Sequence, residues 1–131
     1  MKIKELENPP QWLLDANTAF ADVEIIDGIV HWNGGVWRDG IWHNGVWKDG
    51  IWANGVWKDG IWENGTWNNG VWNGGIWYKG TWVYGYWLNG IWKDGNWFNG
   101  KWYKGKWEKG YKRENRYKPK LVPSDTQPVN D

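Results

Sequence analysis

Two histidines, His31 and His43, are the only side chains in this 131-residue sequence suited by ordinary acidity to proton transfer near neutral pH. Each sits next to a Trp, and neither has an acidic or hydroxyl partner at a repeated spacing. A catalytic site needs an irregular set of different groups, so no catalytic residue is assigned and an enzyme is not expected. Asp39, Asp49 and Asp59 recur every ten residues, which raises a calcium ladder. The Gly-Gly-x-Gly-x-Asp roll pattern is absent, and equivalent slots hold Asn44, Lys79, Tyr84 and Lys104, so these positions read as turn residues. With no Cys, thiolate sites and disulfides are excluded. No metal and no cofactor is therefore expected. Residues 101–120 carry nine Lys and Arg against Glu108 and Glu114, with Trp102, Tyr103, Trp107, Tyr111 and Tyr117 between them. Such a stretch could touch phosphate, but a solvated tail is the preferred account of it, and nucleic acid is not the expected partner.

The dominant pattern is positional. Trp recurs every fifth residue sixteen times without a slip: Trp32, Trp37, Trp42, Trp47, Trp52, Trp57, Trp62, Trp67, Trp72, Trp77, Trp82, Trp87, Trp92, Trp97, Trp102 and Trp107. The unit is Gly-[Ile/Val]-Trp-x-[Asn/Asp], with Gly two before every Trp except Trp32, where Val30 stands. A Gly at this frequency and a period of five both exclude a helix. Asn-Gly and Asp-Gly make tight turns, and the β-branched residue with Trp favours extended backbone, so each unit reads as one very short strand and one corner.

A corner in every unit lets all the Trp residues face one way. Were they outside, the inside would hold Arg38, His43, Lys48, Lys58, Glu63, Lys93 and Glu108, which unpaired burial forbids. The Trp residues therefore form an inward core ladder, with Gly leaving room beside each indole. Outward, nine units present an aliphatic residue: Val36, Ile41, Val46, Ile51, Val56, Ile61, Val71, Ile76 and Ile91. Exposed apolar strips mark interaction surfaces. Tyr78, Tyr84, Tyr86, Phe98 and Tyr103 also face out and could form a platform for glycan stacking.

A small residue, a spacer and a large residue repeated in fives resemble the pentapeptide-repeat family. That resemblance implies an all-β, right-handed quadrilateral β-helix, with four units per coil and Trp filling the core. Residues twenty apart would then stack, placing Trp32, Trp52, Trp72 and Trp92 in one column with Ile51, Val71 and Ile91 outside it. This chain departs from the family in having Ile or Val before the large residue. The rival architecture is a flat meander about 70 Å long, which would leave the indoles uncovered.

The organisation is read as an N-terminal cap over 1–29, the Trp-Gly solenoid over 30–110 and a polar, basic arm over 111–131. Asn8 to Asp15 reads as an N-cap, a proline in the first turn and a short helix, with Trp12, Leu13 and Phe20 as candidate plugs of the first coil. Val23 to His31 reads as two strands around Asp27-Gly28. Residues 1–28 hold six acids against Lys2 and Lys4, so the chain is acidic at one end and basic at the other. The arm, with Pro119, Pro123 and Pro128, should be disordered alone or extended along a partner. No apolar segment is long enough to span a membrane, and the first residues lack a signal-peptide core.

Arrays of this Gly-[Ile/Val/Thr]-Trp-x-[Asn/Gly]-Gly type resemble repeats in phage-encoded proteins, tail and other virion components among them. The expectation is a non-enzymatic structural protein of a virion, such as a tail or capsid decoration component. Its docking surface would be the outward aliphatic residues with Tyr78 and Phe98, and its partners other structural proteins, with a second copy of the chain among the possibilities. The alternative is a glycan-binding or host-attachment module.

Overall fold

The computed structural model describes residues 1–115 and 117–130. A short helix, α1 (Gln11–Asp15), precedes two longer strands, β1 (Asn17–Ile26) and β2 (Ile29–Asp39). Fourteen two-residue strands follow, from β3 (Ile41–Trp42) to β16 (Lys106–Trp107), and a closing pair, β17 (Gly110–Asn115) and β18 (Lys118–Ser124), ends the chain. Every short strand is the outward residue plus its Trp.

The strands pair in parallel at a constant offset of one coil: Trp32 with Trp47, Trp47 with Trp62, Trp37 with Trp52 and Trp42 with Trp57. These partners are fifteen residues apart, not twenty. The solenoid therefore has three units per coil, about five coils and three faces, and the expected four-sided coil is corrected. We call the faces first, second and third after Trp32, Trp37 and Trp42. Around a coil, successive indoles meet edge to face, with centroids 5.7 to 5.9 Å apart and planes at 70° to 76°. Between coils they stack nearly parallel, 4.7 to 5.1 Å apart at 4° to 7°. Three rings close each layer. A fourth side would move the rings outward and open a void along the axis, which close-packed interiors do not tolerate.

Backbone bonds in every unit tie coil to coil, among them the Val56 N–H donating to Gly40 O at 3.0 Å and the Lys58 N–H to Trp42 O at 2.8 Å, a pattern that recurs up the chain. The indole N–H groups of Trp52, Trp57, Trp77 and Trp82 donate to the corner carbonyl seventeen residues on, at 3.0 to 3.1 Å.

The repeated Gly is the corner itself. Gly75 has φ +104, and a methyl there would overlap the carbonyl oxygen of Gly60 in the coil below. Its role is thus coil-to-coil approach and a left-handed turn, more than the vacancy beside an indole that the sequence suggests. Val30, the one exception, has no coil of the repeat beneath it and is buried as part of the floor.

Both ends are closed. Below, β1 runs antiparallel to β2, pairing Val23 with Trp32 and Thr18 with Trp37. Leu6, Leu13 and Val23 are buried against the lowest indoles, and Trp12 packs edge-on at 5.1 Å from Trp42. Phe20 does not plug the coil: it is 90% exposed, with φ +56, where the β1 register shifts. The helix begins after Pro10 with no side-chain cap, and Asn8 takes φ +50 in the loop before it. Above, the polar arm is folded rather than extended. β17 pairs in parallel with the Asn96–Trp97 strand and antiparallel with β18, so the arm supplies the edge that the repeats leave open.

Candidate interaction surfaces

The fifteen-residue coil sorts the outward residues into files. On the first face, Val46, Ile61, Ile76 and Ile91 stack in consecutive coils between His31 and Lys106. The second face carries Val36 and Ile51, then Thr66, Thr81 and Asn96. The third carries Ile41, Val56 and Val71, then Tyr86 and Lys101. The nine aliphatic residues thus divide four, two and three, and the longest unbroken file is on the first face. Ile51, Val71 and Ile91, one column in the twenty-residue reading, lie on three different faces.

All sixteen ladder Trp residues are buried, the most exposed being Trp107 at 7%. Rows of solvent-facing Trp are therefore not available to a ligand. The residue after each Trp faces out. On the first face this second file reads Lys48, Glu63, Tyr78, Lys93 and Glu108, one per coil, each donating its N–H to the Trp carbonyl of the coil before. Lys93 lies 3.7 Å from Glu108 and 5.8 Å from the centre of the Tyr78 ring.

The outward aromatics separate. Tyr84, at the corner leading into the third face, contacts Tyr86, and Tyr86 contacts Tyr103 of the next coil on the same face, with ring centroids 6.5 Å and 6.4 Å apart. Phe98 and Tyr84 line a crevice of about 420 Å³ with Lys101, Arg113, Glu114 and Val129, between the last coils and the C-terminal hairpin. Tyr78 lies apart from them, on the first face. Tyr84, Tyr86 and Tyr103 were visible in the sequence as outward residues; that Tyr103 meets Tyr86 depends on the coil length.

The groups that could have done chemistry are dispersed. Asp39, Asp49 and Asp59 occupy three different corner files, and the Oδ1 of each accepts the N–H of the next Gly at 2.8 to 2.9 Å. This is turn geometry. His31 lies opposite Glu24 in the β1–β2 pair, and His43 stacks on Trp12 at 5.7 Å. Among the described residues, no three His, Cys, Asp or Glu side chains gather as a metal site. No described helix is long and apolar enough to cross a membrane. Of the basic C-terminal residues, Lys112 is turned back onto Thr126 and Gln127, and Lys118 pairs with Glu114 at 3.9 Å. Arg116 lies outside the described residues.

No protein family, no curated protein sequence and no solved structure matches the chain.

Proposed function

We propose that this protein is a non-enzymatic structural module that docks onto other proteins in a larger assembly, with a virion as the assembly that its Trp-Gly array suggests. The observation that supports this most directly is the unbroken first-face file Val46, Ile61, Ile76 and Ile91. It is a continuous, half-buried apolar file on a scaffold whose core is already complete without it, and its lower members Val46 and Ile61 flank a crevice beside the N-terminal segment at Asn8 and Pro10. A solenoid of stacked indoles is a rigid rod with flat sides, suited to presenting a surface and poor at building a catalytic constellation. The test is sedimentation of the wild-type chain and of Ile61→Glu and Ile76→Glu with intact particles from cells that produce it. Wild type should travel with the particles and both variants should remain behind as folded monomer. A wild-type chain found only as free protein would overturn the proposal.

A second reading, glycan attachment, is favoured by one observation: Tyr84, Tyr86 and Tyr103 form an exposed cluster beside the crevice at Phe98 and Glu114. Aromatic platforms beside polar groups suit sugar rings. Binding of cell-wall or capsule polysaccharides that is lost in Tyr86→Ala and Tyr103→Ala would carry this reading. No binding to any of them would remove it.

A further inference from the structure

The geometry points to a second copy of this chain as a partner of the first face, docked side by side and antiparallel about a two-fold axis at the level of Tyr78. This rests on the assembly reading above and names one occupant of its principal surface.

Two solenoids meeting face to face and antiparallel oppose like files in reverse order. With the axis at Tyr78, the outer file Lys48, Glu63, Tyr78, Lys93, Glu108 reads against itself backwards. Lys48 then faces Glu108 of the second copy, Glu63 faces Lys93, and Tyr78 faces Tyr78. In the neighbouring file Ile61 faces Ile91 and Ile76 faces Ile76, while Val46 meets the alkyl stem of Lys106. At the corner, Asp49 faces Lys109. Three opposite-charge pairs arise, each twice by symmetry, around an aliphatic centre, joining the pairs that Glu108 already makes within its own chain with Lys93 and Lys106. Only Lys79, on the corner rim, meets its own like-charged mate.

The register is specific. Slipping by one coil in either direction brings Lys48 onto Lys93 or Glu63 onto Glu108. A parallel pairing opposes the charged file to the aliphatic file instead. The other faces do not have this property: the equivalent file is Arg38, Ala53, Asn68, Val83 and Phe98 on the second, and His43, Lys58, Asn73, Leu88 and Tyr103 on the third. Self-complementarity of this kind is what a two-fold interface requires.

The ends agree with the face. Residues 1–28 are acidic and residues 101–120 strongly basic, so antiparallel neighbours place the acidic end of each copy beside the basic end of the other. The same asymmetry could drive head-to-tail stacking, but β18 presents Pro119 and Pro123 along the upper edge, where strand addition needs N–H donors.

The repeats offer a face roughly 24 Å tall and 13 Å wide, about 300 Å² per copy before the caps contribute, which is small for a stable dimer. A face of this size is expected to associate weakly, so the experiment belongs at high protein concentration. Analytical ultracentrifugation should show a reversible monomer–dimer equilibrium. Lys48→Glu and Glu108→Lys, each alone, should weaken it about tenfold, because each sets like charges against each other at both symmetric positions. Mixing the two variants should restore dimer, since the heterodimer regains both pairs; this also shows that each variant is folded. Because the chain has no Cys, Tyr78→Cys should form a disulfide-linked dimer under mild oxidation and Ile51→Cys, on the second face, should not. A monomer at all concentrations, homodimers that persist in both charge variants, a mixture that fails to associate, or open-ended polymer would each overturn the dimer. If the charge variants stay monomeric and still sediment with particles while Ile76→Glu does not, this pairing is not the first face's role, and the assembly reading stands.

Discussion

The side-chain amide of Asn130 pairs with both backbone groups of Trp102: the Trp102 N–H donates to Asn130 Oδ1 at 2.8 Å, and Asn130 Nδ2 donates to Trp102 O at 3.0 Å. Trp102 belongs to the last strand of the third face, whose upper edge no further strand of the described residues covers. The carboxamide has the same donor and acceptor as a peptide unit, and it occupies the place of the missing coil. The Trp107 indole is completed in the same manner, donating to Ser124 O at the seventeen-residue offset used inside the solenoid. The C-terminal segment thus imitates a sixth coil without repeating its sequence.

Asn130→Ala should therefore loosen one edge without unfolding the rod. The expected loss is about 1 to 2 kcal/mol for two uncompensated bonds. Amide exchange at Trp102 should accelerate while that of Trp57 and Trp72 stays slow. Unchanged exchange at Trp102 would show that the amide is dispensable.

Adjacent glycines should behave oppositely. Gly75→Ala forces a side chain into φ +104 and onto the Gly60 carbonyl, and should cost about 3 kcal/mol or more. Gly74 has ordinary φ and its nearest atom for a methyl is at 3.6 Å, so Gly74→Ala should be neutral or stabilising by about 0.5 kcal/mol. Thermal melts of the two variants decide this; equal effects would refute the corner assignment.

The indole ladder should show a gradient from middle to top. Trp67→Ala opens a cavity between stacked neighbours Trp52 and Trp82, and should cost about 3 to 5 kcal/mol. Trp107→Ala, at the end of its file and 7% exposed, should cost clearly less. Denaturant titration measures both, and equal losses would contradict a core built from stacked files.

Removal of residues 110–131 should make the chain prone to aggregate. It strips β17 and β18 from the Asn96–Trp97 strand, leaving a flat, unpaired edge. Replacing only Pro119 and Pro123 with Thr should have a milder effect in the same direction, by letting the outer strand accept another chain. Light scattering at increasing concentration follows both.

Much of this fold is legible locally. The Trp residues had to face inward because the residues around them are charged, and Asn-Gly and Asp-Gly had to turn because of their own backbone preferences. The Asp27-Gly28 hairpin could be read for the same reason, and Asp27 and Gly28 both have positive φ. The outward ring of Phe20 is not legible in the sequence, because nothing in its neighbours announces that β1 shifts register there. The strands of the tail are not legible either, because its polar composition offers no core of its own, whereas its strands need none: they borrow a finished edge.

The sequence by itself determined the period of five, the inward Trp and the turn at each Gly, because side-chain polarity and backbone preference act within a few residues. Only the tertiary structure decided how many turns close a coil. That number depends on how three indoles meet at the axis and how each corner clears the one fifteen residues before it, and both are contacts between distant parts of the chain. It also decided which outward residues are neighbours. Val46, Ile61, Ile76 and Ile91, with the charged file beside them, become a single surface only once the coil holds fifteen residues.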